Sequence, residues 1–323
     1  MLEVGTLLAR VERVPRPLRH HPVNGRPLVV EVTARTLQGR FLLKPSTPTN
    51  STILGILGRA LSMYPGVKLC EMVFLSNHYH LILIVEDEGI LARFMGYLND
   101  LIARKVGGKL HGWREKFWGR RYRSIPILDD ESMIERAQYI FRQGVKENLI
   151  DCPTKWPGVC SVRARLQGEK LIGVWYDETG IYEKSRRGEE VNRKDFARTY
   201  EIELAPLPCW ADLSPQEYHG QVQELVDDLV KEERARRQRE GRTVLGAEAV
   251  MAQDPRRAPE KLSRSPAPVC HASRSATRKA HREALRCFRE AYRDCSIRLR
   301  AHGETDVTFP TFCFPPAQAF VRP

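Results

Sequence analysis

The chain has 323 residues, a formal net charge of +12 and a pI near 9.4. That length can bury a sizeable core and favours two domains. The excess of base fits a polyanionic partner, nucleic acid first, and no run of about 18–20 apolar residues is present to cross a membrane.

Residues 1–24 read as a basic arm carrying Arg10, Arg13, Arg16, Arg19, His20 and His21, either laid on DNA or solvated. No basic segment followed by a long apolar run opens the chain, so no signal peptide is expected. β-branched residues predict a strand over 28–35. Residues 45–50 read as a turn-rich link, after which Ser51 can cap a helix to about residue 63, with Ile53, Leu54, Leu57 and Leu61 on one side. A second strand is predicted over 67–74. Leu75, Ser76 and Asn77 then lead into a third, through residue 85, and make a hairpin if they break the strand. Alternation in this third strand puts His78, His80, Ile82 and Ile84 on one face and Tyr79, Leu81, Leu83 and Val85 on the other. A strand apolar on both sides is expected at the centre of a covered sheet. Two imidazoles about 6.5–7 Å apart along a strand can converge on one ion. They can equally be ordinary satisfied histidines or hold a structural zinc.

A helix is predicted over about 88–106, with Leu91, Phe94, Leu98, Leu101 and Ile102 as its apolar face. Between 104 and 123 stand eight bases (Arg104, Lys105, Lys109, Arg114, Lys116, Arg120, Arg121, Arg123) against one acid, Glu115. Trp113, Phe117, Trp118 and Tyr122 are interleaved. Bases track phosphates and aromatic planes stack unpaired bases, so this segment is a candidate single-strand or hairpin reader; the bland alternative is a loop anchored by its tryptophans. Residues 130–143 carry acids in a first helical turn and an apolar stripe of Met133, Ile134, Ala137, Ile140 and Phe141. Tyr139 lies off that stripe, with Ser132, Arg136 and Gln143 on its side of the helix.

From 164 onward the signals thin. Short strands are expected near 174–177 and 200–204, and a helix opened by Ser214 and Pro215 runs to about 240 with Val222, Leu225, Val226, Leu229 and Val230 on one face. Residues 252–279, rich in Pro, Ser and Arg, read as a linker. A last helix over about 276–301 carries a packing stripe of Leu285, Phe288, Tyr292, Cys295 and Leu299, and an aromatic–proline tail follows. Eight scattered cysteines without a Cys-x-x-Cys pair suit a reducing compartment better than a disulfide scaffold.

The run Ser76-Asn77-His78-Tyr79-His80-Leu81-Ile82-Leu83 resembles the His-hydrophobic-His strand of HUH endonucleases, in the version found in single-tyrosine transposases of insertion sequences and their REP-associated relatives. Tyr139-Ile140-Phe141-Arg142-Gln143 is similar to that family's Tyr-Ile-x-x-Gln or Tyr-Ile-x-x-Asn, and Phe117-Trp118-Gly119-Arg120-Arg121-Tyr122 to its Phe-Trp-x-x-x-Tyr approach. Where the family commonly has Asn-Pro-Val, this chain has Gln143-Gly144-Val145. The resemblance spans roughly residues 25–163 and implies an α+β fold, an antiparallel sheet with helices of HUH or ferredoxin-like type. A mainly helical accessory region, 164–323, would follow, with its linker around 252–279. It further implies a divalent metal, Mg²⁺ or Mn²⁺, held by His78, His80 and Gln143, and Tyr139 as the nucleophile toward single-stranded or hairpin DNA. Tyr122 is the rival nucleophile, disfavoured because Pro126 stands where the amide four residues on would be. The bases listed above, with Trp118 and Arg136, are the expected DNA contacts. The expected activity is cleavage and rejoining of DNA by a cytoplasmic bacterial enzyme, monomer or homodimer, with a domesticated hairpin binder as the alternative. A relaxase or replication initiator would share the histidine pair but usually carries further modules.

Overall fold

The computed structural model describes residues 28–86, 88–260, 268–310, 313 and 315–316. The basic arm over 1–24, part of the expected linker and part of the tail lie outside them. β1 (Leu28–Arg35), β2 (Val67–Phe74), β3 (His78–Val85) and β4 (Arg123–Ile127) form one antiparallel sheet in the order β2-β3-β1-β4. The fold is α+β. Leu75, Ser76 and Asn77 do break the strand, and Leu75 N donates to His78 O at 2.8 Å to close the hairpin.

Strand alternation sorts the two faces. Val30, Val32, Ala34, Tyr79, Leu81 and Leu83 pack under α1 (Thr47–Met63) and α2 (Glu88–Ile102). Val29, Val73, Ile82 and Ile127 pack with α3 (Asp130–Arg142) and α6 (Pro215–Glu240). The central strand therefore feeds two cores, as its apolar content on both sides requires.

The short α4 (Val162–Gln167) leads from this sheet to a second, two-stranded one. There β5 (Ile172–Tyr176) and β6 (Ala197–Glu201) pair antiparallel, with α5 (Glu178–Arg186) between them in sequence. β5 lies directly on α1. A Cβ at Gly55 would fall 2.3 Å from Val174 O, and one at Gly173 would fall 2.2 Å from Leu54 O. Two glycines back to back thus let helix and strand touch backbone to backbone. Leu171, Trp175 and Ile202 join the first core, while Leu207, Tyr218, Val222, Val226 and Leu229 join the second. Residues after 163 line both faces of the main sheet, so the expected division at 163/164 does not separate two cores.

Several boundaries differ from expectation. α1 starts at Thr47, capped by Ser46, whose Oγ accepts from Thr49 N at 3.2 Å. Ser51 is already inside the helix; Pro48 sits in the first turn, where its missing N–H costs nothing. α2 ends at Ile102 and widens into a π-helical stretch over Ala103–Leu110. β4 was hidden by Pro126. The strand tolerates it at the sheet edge, where the Pro126 carbonyl accepts from His271 N at 2.8 Å. The C-terminal half ends on α7 (Ala247–Met251) and α8 (Ser275–Ala301), whose Tyr292 packs on Phe309 of the following segment.

Candidate active site

The site lies on the α3 side of the sheet. Antiparallel partners share a face, and the pairs here are Glu31↔Ile82, Thr33↔His80, Arg35↔His78 and Thr33↔Arg123. Toward the hairpin, the apolar carpet under α3 thus gives way to a polar row of imidazoles and guanidiniums. The two imidazoles sit edge to face with centroids 5.2 Å apart, and the Tyr139 ring meets His80 at 5.4 Å.

α3 presents Tyr139 because Asp129 fixes its start. The Asp129 Oδ1 accepts from Ser132 N at 3.0 Å, and Asp130 and Glu131 follow in the first turn. Gln143 is the residue that ends the helix, already extended at φ −61°, ψ 139°. Its Nε2 reaches back to donate to Tyr139 O at 2.9 Å, while its Oε1 is buried without a hydrogen-bond partner. That amide borders the His78 ring. Gly144 follows at φ +82°, a conformation closed to proline. The departure from the family's Asn-Pro-Val is therefore a different helix exit, one that needs glycine.

Two contacts fix the imidazole tautomers. Asn77 Nδ2 donates to Gly39 O at 3.0 Å, which turns its Oδ1 toward His78 Nδ1 at 2.6 Å. Glu31 Oε1 lies 2.8 Å from His80 Nδ1. Since both partners accept, both Nδ1 atoms carry hydrogen, and Nε2 is left as the lone-pair nitrogen of each ring. Burial above all, aided by the positive charges of Arg35 and Lys146, pushes the His78 pKa well below the ordinary imidazole value. His78 is therefore neutral near pH 7 and able to donate electrons. Burial disfavours the Glu31 charge, but His271 and His80 outweigh it and hold the carboxyl well below the usual range.

Cations ring the tyrosine. Arg136 lies 4.6 Å and Lys146 4.1 Å from the Tyr139 ring centre. Arg35 feels both Tyr139 and Arg123. Among the expected DNA contacts, Arg123 and Arg136 are thus at the site, and Arg114, Lys116, Arg120 and Arg121 are exposed on the segment leading into β4. The others are engaged elsewhere. Arg104 pairs with Asp100, Lys105 Nζ sits 3.5 Å over the Trp175 ring, and Lys109 meets Glu178 at 3.1 Å. Trp118 anchors its segment: Nε1 donates to Asn99 O at 2.9 Å and its ring packs on Tyr79. Tyr122 packs against the α1–α2 core, on the sheet face opposite the histidines.

Sequence reading missed Glu31, Arg35, Asn77, Lys146 and His271. A lone carboxylate inside the apolar run of β1 was the available signal for Glu31; His271 had none, being brought from a compositional linker. Among the described residues no group of three or more His, Cys, Asp or Glu side chains could hold a metal. The donor set on hand is two imidazole nitrogens and the unpartnered Gln143 oxygen, which fits a cation accepting mixed nitrogen and oxygen ligands.

Among the described residues no helix is long and apolar enough to cross a membrane. No protein-family model matches the chain, and no curated protein does. A solved structure of a REP-associated tyrosine transposase bound to a REP hairpin is similar at a distance, with a TM-score of 0.38 and 13% identity over 46% of this chain and 85% of that one.

Proposed function

We propose that this chain is a metal-assisted DNA strand transferase that cuts and rejoins single-stranded, hairpin-flanked DNA through Tyr139. One observation carries the reading: His78, His80, Gln143 and Tyr139 meet on one sheet face, with the amide oxygen of Gln143 buried and unpartnered. His78, His80 and Gln143 would hold the cation, Mg²⁺ or Mn²⁺. When bound, it supplies Lewis-acid polarisation of a non-bridging phosphate oxygen.

The chain's own residues do the rest. Arg35, Arg123, Arg136 and Lys146 draw the phosphodiester to the Tyr139 ring. Tyr139 Oη forms a bond to phosphorus as the P–O3′ bond breaks; the phenol gives up its proton and the departing O3′ takes one up. The product is a 5′-phosphotyrosine and a free 3′-OH, with the polarity that the resemblance implies. Since the phosphodiester is exchanged and not hydrolysed, a second 3′-OH can reverse the step and join new DNA. Exposed Arg114, Lys116, Arg120 and Arg121 extend the basic surface along the strand.

The test is a denaturing gel with labelled single-stranded hairpins from the flanks of the gene, with Mn²⁺ or EDTA. An adduct that survives SDS, needs the metal and disappears in Tyr139→Phe is expected. Persistence of the adduct in Tyr139→Phe would overturn Tyr139 as the nucleophile. Tight binding without an adduct from any flank would leave a hairpin binder that does not cut.

A further inference from the structure

His271 comes from the segment that composition marks as a linker, yet it is built into the site. Its backbone forms a parallel bridge to Ile127: His271 N donates to Pro126 O at 2.8 Å and Leu128 N donates to His271 O at 2.9 Å. Two residues on, Ser273 N donates to Asp129 Oδ2 at 2.8 Å, while Asp129 Oδ1 caps the helix that carries Tyr139. The segment is thus pinned at the β4–α3 junction, and its side chain enters the polar row. His271 Nε2 stands 2.7 Å from Glu31 Oε2, with the N–H off line for a hydrogen bond. The other oxygen of the same carboxylate lies 2.8 Å from His80 Nδ1.

We propose that His271 is a positioning residue of the candidate metal site, acting through Glu31 on His80; the proposal rests on the functional reading above. Glu31 is a buried carboxylate braced from both sides, with side-chain exposures of 4% for Glu31 and 12% for His271. Without His271, the neighbour left to Oε2 is the Arg136 guanidinium, 3.9 Å away and beyond hydrogen-bond reach. A buried carboxylate turns to pair its free oxygen. Turning toward Arg136 draws Oε1 off His80 Nδ1 and releases the tautomer that leaves Nε2 available. Partners of this outer kind change metal affinity by about 10–100-fold. The C-terminal half thereby sets the geometry of a ligand on the central strand.

The test uses the full chain, ¹⁵N-labelled at histidine, with Mn²⁺ alone as the probe. Imidazole ¹⁵N shifts read the His80 tautomer without metal, and calorimetry reads Mn²⁺ affinity. In wild type His80 carries its hydrogen on Nδ1. His271→Ala, or His271→Asn should the alanine variant not fold, mixes the His80 tautomers and weakens Mn²⁺ binding by about tenfold or more. His271→Gln, whose longer amide can reach Glu31 and brace it in place of the ring, restores both. A wild-type His80 tautomer and affinity in folded His271→Ala or His271→Asn would overturn the proposal. If wild type binds Mn²⁺ no better than His78→Ala, the metal reading fails, and the tautomer comparison still decides the brace.

Discussion

His78 is held neutral by burial and by the positive groups beside it, and that has a thermodynamic cost in acid. Its folded pKa lies below its unfolded value of 6.5, so the unfolded chain takes the proton first as pH falls. Stability from this residue is complete above 6.5 and is lost as pH drops toward the folded value. Glu31 works in the same direction at lower pH, since its pKa is depressed from 4.5 and its stabilising contacts fade only below that value. The expected outcome is a urea midpoint that declines from about pH 7.5 to about pH 5, with the decline reduced in His78→Asn. An equal decline in the variant would remove His78 as its source. The charged ring around Tyr139 follows the same logic in space: Arg35, Arg136 and Lys146 are tolerated at close quarters because the row is only partly buried and opens to solvent.

At the scale of elements, the contact between α1 and β5 is the least forgiving. Gly173→Ala would put a methyl carbon into the Leu54 carbonyl, so strand and helix must separate. A loss of about 1–3 kcal/mol is expected, read as a lowered denaturation midpoint, with the histidine face of the sheet unchanged if the damage stays on the α1 side. The elements that were legible in the sequence are those whose signal is local. β-branched content delivered β1 and alternation the two faces of β3; Ser214 and Pro215 delivered the start of α6, where the structure adds a capping box with Glu217. β4 was not legible, because Pro126 argues against a strand until an edge position is known. The start of α1 was misplaced because Ser46 and Ser51 are equally good caps in one dimension. Of the site, the pattern placed His78 and His80 on one face and Tyr139 beside Gln143, and the family resemblance singled them out, whereas Glu31 and His271 are joined only by tertiary pairing across some 240 residues, which no local period records.

At the scale of the molecule, the two halves are held by a buried charge. Glu71 stands at a bulge of β2, fully enclosed, where it accepts from Ser161 Oγ at 2.5 Å and Tyr218 OH at 3.3 Å and pairs with Arg165 at 3.1 Å. Burial raises its pKa against the pull of Arg165. Arg165 also donates to the carbonyls of Cys70 and Ala205, at 3.0 and 2.6 Å. A chain ended after residue 163 would lose Arg165 and Tyr218 and leave Glu71 in the core without its cation, at a cost of about 3–5 kcal/mol. Such a truncation is expected to lose its cooperative thermal transition and to bind a hydrophobic dye. A sharp transition matching that of the full chain would instead make residues 25–163 a self-sufficient unit.

The placement of both histidines on one face of β3 has a consequence for errors in folding. Side chains alternate along a strand, so a pairing slip of one residue relative to β1 would turn His78 and His80 into the α1–α2 core and send Tyr79, Leu81 and Leu83 toward Tyr139. A chain that mispairs therefore cannot assemble a partial site. It becomes inert, with its imidazoles entombed in the apolar core.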